Sequence, residues 1–325
     1  MSTAADMSAR LTALRAQLQR DGLDGFVIPL TDEHMSEYVG AYAQRLTWLT
    51  GFGGSAGWAV VLRDTAAIFV DGRYTLQVRD QVDAAHWRYE TRGAGSVTTW
   101  LGEHVGSGQR IGYDPWLHTR EWVAQASEAL TRKGAELSAI DANPVDTVWH
   151  DRPAPGIAPA FPHDEAFAGR SASEKVADIA AWLTARRANT LVLTALDSVA
   201  WTLNIRGSDV SHTPVALAYA VVHADARVEL FITPEKADAA LRAHMGAAVT
   251  VRPRADFARA LEMEFTGKTV AVDPERAVVA IFAALEAGGA TIDAVRDPVV
   301  LAKALKSPAE IAGHKAAQLR DGAAL

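Results

Sequence analysis

The segments RLTWLTGF (45–52) and SVAWTLNIRG (198–207) place Trp48 and Trp201 in like contexts 153 residues apart. Further on, Asp114-Pro115 after the strand-like IGY pairs with Asp273-Pro274 after VAV at an offset of 159, and Pro144-Val145 pairs with Pro298-Val299 at 154. Three landmarks in one order and near one spacing indicate an internal duplication. The openings of the two copies agree with it. Leu11, Leu14 and Leu18 lie at i, i+3 and i+7, one face of a helix that Asp21-Gly22 breaks before the strand-like Phe26-Val27-Ile28. Val176, Ile179, Ala180 and Leu183 form a second stripe ahead of TLVLT (190–194). In each copy, adjoining strand-like runs (WAVVL and AAIFV; ALAYAVV and VELFI) then alternate with helices. The expected class is α/β, with a mixed sheet flanked by helices in each copy.

Between the copies, residues 151–170 carry Pro153, Pro155, Pro159 and Pro162 with little periodicity and read as a linker. The expected domains are therefore 8–150 and 171–305, with 306–325 opening a further unit. A chain of 325 residues fits two domains of about 150 each. Apolar residues at 49% and charged residues at 22% give the balance of a soluble globular protein. The net charge of -7 comes without a Lys/Arg-rich run, so nucleic acid is not an expected partner. Cysteine is absent, which removes disulfides, a thiolate nucleophile and Cys-based zinc sites. The N-terminus lacks a basic segment followed by an apolar one, and no window approaches 18 apolar residues, so no membrane is expected and a cytoplasmic location is.

Lys306-Ser307-Pro308 opens a helix whose Ala312, Ala316, Leu319 and Ala323 recur at i, i+4, i+7 and i+11. Burying a Leu or Ile contributes about 1.5–3 kcal/mol, and an isolated helix of this length is marginal. Nothing follows to cover the stripe, so the chain is expected to stop inside a larger protein. The alternative is a helix that packs back on the second domain.

Several short patterns suggest chemistry. Gly53-Gly54-Ser55-Ala56-Gly57 fits G-x-S-x-G, but that nucleophile elbow needs a strand before the serine and a helix after it. Here WAVVL follows, so a glycine turn between close backbones is the expectation, with a Ser55 hydrolase as a rival. Gly51, Gly53 and Ala56 satisfy G-x-G-x-x-G/A, yet the following strand leaves no helix N-terminus for a pyrophosphate. Gly267-Lys268-Thr269 resembles the end of a P-loop, but Glu262 stands where its first glycine would, and a turn into the strand TVAVD is expected. Asp32, Glu33, His34 and Glu37 are candidate metal ligands. A solvated helix start explains them as well, and no complete metal site can be read in the chain. Asp71-Gly72-Arg73-Tyr74 ends AAIFV and opens a helix through Leu76 and Val78. Asp71 near that helix start would favour the dipole, and the guanidinium of Arg73 on a strand-to-helix turn could grip a peptide carbonyl or carboxylate.

TDEHMSEYVGAYAQRLTWLTGFGGSAGWAVV (31–61) and AAIFVDGRYTLQVRDQV (66–82) resemble the first domain of the large, three-domain Xaa-Pro aminopeptidases. TALDSVAWTLNIRGSDVSHTPVALAYAVV (194–222) resembles their second domain, and LAKALKSPAEIAGHKAAQLRDGAAL (301–325) the helix leading into the third. The resemblance implies two creatinase/prolidase N-terminal domains, each a three-layer α/β/α arrangement, and a pita-bread catalytic domain beyond them. In that third domain two Asp, one His and two Glu hold two divalent metal ions, usually manganese, and none of those motifs occurs here. It further implies peptides with proline at the second position as partners, Arg73 as a substrate-binding residue, and a homodimer of the whole protein. The present chain would then be inactive alone, without catalytic or metal-binding residues or a cofactor of its own, acting as a shield and guide. Its rival is a binding or dimerisation module of a protein that has lost its metal ligands.

Overall fold

The computed structural model describes residues 4–91, 93 and 95–325. The chain divides into two compact units, one ending at Pro155, to which Val278–Ala280 is also assigned, and one starting at Gly156. The first contains, in order, α1 (Ala4–Arg20), β1 (Gly25–Pro29), α2 (Arg45–Thr50), β2 (Gly57–Leu62), β3 (Ala66–Val70), α3 (Gln77–Gln81), β4 (Arg88–Thr91), α4 (Ser96–His104), β5 (Arg110–Tyr113), α5 (Arg120–Thr131), β6 (Glu136–Ala139) and α6 (Pro144–Val148). The second contains β7 (Phe161–Pro162), α7 (Glu165–Ala168), α8 (Ala172–Arg186), β8 (Thr190–Leu193), α9 (Leu196–Leu203), β9 (Ile205–Arg206), β10 (Ala218–His223), β11 (Val228–Ile232), α10 (Ala239–Met245), β12 (Val249–Pro253), α11 (Phe257–Met263), β13 (Thr269–Val272), α12 (Val279–Ala287), β14 (Thr291–Ala294), α13 (Val299–Ala304) and α14 (Pro308–Ala324).

Among the described residues each unit has a six-stranded sheet, ordered β4-β3-β2-β1-β5-β6 in the first and β12-β11-β10-β8-β13-β14 in the second. The directions match strand for strand. β1 runs antiparallel to β2 and parallel to β5, as β8 does to β10 and β13. The next pairs outward, β2 with β3 and β10 with β11, are antiparallel, while β3 with β4, β11 with β12, β5 with β6 and β13 with β14 are parallel. The duplication and the mixed sheets read from the sequence are both present.

Alternation along each strand feeds two cores. Phe26 and Ile28 join Leu11, Leu14 and Leu18 of α1 with Leu46 and Leu49 of α2. Val27, between them, faces the other way and joins Trp100 and Leu101 of α4 with Leu130 of α5. In the second unit Leu191 and Leu193 meet Val176, Ile179 and Leu183 of α8 and Leu203 of α9. On the opposite face Tyr219 stacks on Phe257 of α11 at 3.9 Å, and Phe231 meets the same ring edge-on at 5.3 Å. Each sheet is therefore sandwiched between helical layers.

The two tryptophans have equivalent settings. Arg10 of α1 donates from Nη1 to the Trp48 carbonyl at 2.6 Å and lies 4.8 Å from the Trp48 ring centroid. Lys175 of α8 donates to the Trp201 carbonyl at 3.0 Å with its Nζ 4.2 Å from the Trp201 ring. In both units a cation from the first helix donates to a carbonyl in the last turn of the second helix and takes the indole face as well, and in the second unit the Asn204 N–H shares that carbonyl at 3.5 Å. Both second helices end in the left-handed region, at Gly51 (φ 80°) and Asn204 (φ 50°). Asn204 adds an acceptor for Lys175 at 2.6 Å and donates to the Arg170 carbonyl.

The Asp-Pro landmarks are equivalent too. Asp114 accepts from the Trp116 N–H and the Asn143 amide, and Asn143 caps α6 through the Val145 N–H. Asp273 accepts from the Glu275 N–H and the Asp297 N–H, and Asp297 accepts from Val299 at the start of α13. Asp297 has no side-chain donor where Asn143 has one, so its backbone N–H makes the link.

Two local expectations differ from the structure. Asp71 caps only one 3-10 turn, Gly72–Tyr74, and α3 starts separately at Gln77. Residues 31–40 form turns rather than a solvated helix start, because Asp32 turns its Oδ1 inward onto the His34 and Ser36 N–H groups. At the other end of the chain, Ser307 and Glu310 close a capping box on α14. Its first turn meets the Ala168 carbonyl, while Leu319 is 77% exposed.

Burial pushes the Lys175 ammonium down to about 8. Unfolded lysine titrates near 10.4, so between pH 8 and about 10.4 the unfolded chain binds the extra proton and stability rises with pH. The urea stability of the wild-type second unit, taken relative to Lys175→Met, is expected to increase across that window. Near pH 7 the variant is expected to be weaker by about 1.5–3 kcal/mol.

Candidate functional site

Arg73 stands at the end of β3, a strand whose five residues are all buried. The Asp71 carboxylate accepts from the Arg73 N–H at 2.9 Å, which fixes the turn, and also takes Nη2 at 2.6 Å and Nε at 3.1 Å. The guanidinium is thus a fork held by its own cap residue, and the Asp71 hydrogen bonds, with its charge, raise the Arg73 pKa above the ordinary arginine value. It lies 5.2 Å from the Tyr74 ring centroid, and its side chain is 64% exposed. Asp71 engages the Nε and Nη2 side, and the Nη1 edge remains for an incoming carbonyl or carboxylate.

The support beneath Arg73 comes from three sequence-distant turns. The Tyr74 ring packs edge-on against Phe52 at 5.5 Å. Its hydroxyl lies 3.0 Å from the Ser55 Oγ, and Ser55 donates to Glu37 Oε1 at 3.0 Å. The Gly53-Gly54-Ser55 turn can come this close because Gly54 has no side chain. A Cβ there would fall 2.3 Å from the Phe52 ring and 2.9 Å from Tyr74. Ser55 is thus a hydrogen-bonding group between a carboxylate and a phenol, and it is followed by the strand β2, where a nucleophile elbow has a helix. The same strand leaves no helix N-terminus at Gly51–Ala56, and Gly267 (φ 71°) turns directly into β13.

The four candidate ligands at 32–37 do not converge. Asp32 is buried in its own turn, Glu33 accepts from the Tyr42 hydroxyl at 2.8 Å, and Glu37 accepts from Ser55. His34 is buried and its backbone N–H goes to Asp32. This loop lies in a local insertion: the helix and first-strand residues of the two units are 165 apart (Leu11 with Val176, Phe26 with Leu191), but the tryptophans only 153, so twelve extra residues fall between β1 and α2. Arg152 anchors the insertion by donating to the Tyr42 carbonyl at 2.7 Å, and shares Asp146 with Arg45.

Among the described residues no group of three or more His, Asp or Glu side chains could hold a metal ion. His118 illustrates the point. It is fully buried, donates from Nδ1 to the Asp114 carbonyl, packs 4.2 Å from the Trp122 ring, and burial lowers its pKa to about 4. That is a core imidazole kept neutral. Among the described residues the donor set does not fit a dinuclear metal centre.

Two sheets of identical topology, each with helices on both faces, define the class. Models of the creatinase/prolidase N-terminal domain match residues 10–148 and 151–310, and the chain belongs to that family. Its relatives are Xaa-Pro aminopeptidases. It is 36% identical to a probable Xaa-Pro aminopeptidase P of Neosartorya fischeri, over 99% of this chain and 51% of that protein. It is 34% identical to the Aspergillus niger protein of the same description, over 98% of this chain and 54% of that one. The crystal structure of X-prolyl aminopeptidase from Caenorhabditis elegans, described as a cytosolic enzyme with a di-nuclear active site, superposes on the whole chain with a TM-score of 0.89 at 31% identity, using 55% of its own length. The chain spans about half the length of the curated relatives it matches.

Ser55→Ala is expected to lower the urea stability of the first unit by about 0.5–1.5 kcal/mol, the worth of an ordinary hydrogen bond. The wild-type chain is expected to take up no fluorophosphonate probe. Labelling abolished by the substitution would restore the nucleophile reading.

Proposed function

We propose that this chain is the non-catalytic N-terminal region of an Xaa-Pro aminopeptidase, whose whole form removes the residue preceding proline from peptide N-termini. The carrying observation is that relatives of this activity align with the entire chain while extending to about twice its length. The absence of a metal-binding cluster among the described residues supports placing the reactive centre in a further domain. In this reading residues 8–150 and 171–305 are the two N-terminal domains, and 306–325 leads into the catalytic one. Two divalent metal ions, manganese by the family's usage, would polarise the scissile carbonyl and activate water there. The whole protein would be a cytoplasmic homodimer.

The part assigned to this chain is selection of the peptide. An Xaa-Pro bond is a tertiary amide without an N–H, so a site for it must grip neighbouring groups of the peptide instead. Arg73 offers a guanidinium oriented by Asp71, braced on Tyr74, and open on one edge. The two lobes would admit short or unstructured peptide ends and shield the reaction from folded chains.

An Xaa-Pro peptide assay with added manganese tests the reading. The 325-residue chain is expected to be inactive and the whole protein active, and hydrolysis by the short chain would overturn the proposal. In the whole protein, Arg73→Ala is expected to raise KM about tenfold with little change in kcat, equivalent to about 1.4 kcal/mol of binding. An unchanged KM would remove Arg73 from the peptide site.

A further inference from the structure

At the first turn of α8 the second unit has a cleft of about 650 Å³, a size suited to small-molecule binding, which uses roughly 300–1,000 Å³. Its apolar wall comes from five elements: Val176 of α8, Leu203 of α9, Val228 of β11, Met245 of α10 and Val249 at the start of the edge strand β12. The first four are more than nine-tenths buried. These side chains already belong to the core, so the cleft is an opening into it rather than a dimple in the surface.

The polar lining is one-sided. Asp164 and Glu165 stand on it, and no lysine or arginine does. Asp164 uses Oδ1 to cap α7 through the Ala166 N–H, and Glu165, exposed like Asp164, has Lys175 within reach of its charge. His244 donates from Nε2 to the Leu203 carbonyl at 3.1 Å, since a carbonyl can only accept, and its Nδ1 is left as an acceptor. The remaining polar groups are committed elsewhere. Ser171 is occupied with Glu174 in the α8 capping box, and Asn204 with Lys175 and the Arg170 carbonyl. Lys175, beside Val176 on α8, does not line the cleft, because its ammonium is engaged by Trp201 and Asn204.

We propose that this cleft binds a small organic ammonium ion with an apolar body, its N–H donors on Asp164 and Glu165 and its body against Val228, Met245 and Val249. A carboxylate ligand would meet the donors of the α8 N-terminus at Ala172 and Ser173, but against the like charge of Asp164 and Glu165 at the rim. A neutral apolar ligand would gain the wall but leave the rim carboxylates to water. The ammonium ion alone answers both halves of the lining.

Titration calorimetry of the 325-residue chain with n-hexylamine hydrochloride, 1-hexanol and sodium hexanoate at pH 7 tests this. The amine is expected to bind at one site at least tenfold more tightly than the alcohol, with the carboxylate weakest. Asp164→Asn/Glu165→Gln is expected to lower the amine affinity about tenfold and leave the alcohol unchanged. Asparagine caps helices as well as aspartate does, so α7 is retained. Val249→Trp, which fills the cleft from a partly exposed strand position, is expected to abolish binding of both. The Met245 methyl resonance, a probe independent of the variants, is expected to shift with the amine and not with hexanoate. Equal binding of the three probes, no binding at millimolar concentration, or an unmoved Met245 methyl would overturn the proposal.

Discussion

The contact that both units repeat is a basic side chain held between an indole face and the carbonyl beneath it. Arg10 on Trp48 and Lys175 on Trp201 tie the first helix of each unit to the end of its second helix. At such an end the last carbonyls lack intrahelical donors, and a buried carbonyl left unpaired is destabilising. In each unit the apolar stripes of the two helices that this clamp joins pack into one core cluster on the same face of the sheet. Arginine serves where the site is partly open. Lysine serves where Asn204 supplies a further acceptor and the ammonium is almost fully buried.

The clamp also explains what varies. Between it and the sheet, the first unit inserts a dozen residues after β1 that the second lacks. This insertion brings Glu37 beneath Ser55 and Tyr74, and so beneath the turn that displays Arg73. Unit two keeps the scaffold and has no equivalent loop there. Its distinctive polar pair is Lys236 with Asp209, both fully buried and linked by an ion pair between the loop before β10 and the turn after β11. One scaffold thus carries a display surface in one copy and an interior ionic fastening in the other.

Much of this was legible in the residues. Leu11, Leu14 and Leu18, the paired tryptophans and the Asp-Pro steps disclosed the helices, the duplication and the mixed sheets, because burial imposes periodicities of 3.6 and 2 on the sequence. The strand that follows Ser55 was legible in WAVVL, and with it the reversed order of elements for a nucleophile elbow. Contacts between turns were not legible. Glu37, Ser55 and Tyr74 are separated by 18 and 19 residues with no shared period, so their hydrogen-bond chain exists only in three dimensions. The inward turn of Asp32 was hidden for a related reason: an Asx turn and the start of a helix use the same residues, and tertiary burial decides between them. The Lys175 clamp carried a faint signal, a lone lysine next to the stripe of α8, which an exposed residue would show equally.

In the proposed reading, the two units recognise and restrain the peptide while the reactive centre lies in a domain beyond them. A calorimetric titration of the 325-residue chain with manganese(II) at neutral pH tests that claim most directly. The account predicts no stoichiometric binding, since the acidic and imidazole groups are dispersed or already hydrogen-bonded. Two tight, saturable sites on this chain would contradict it.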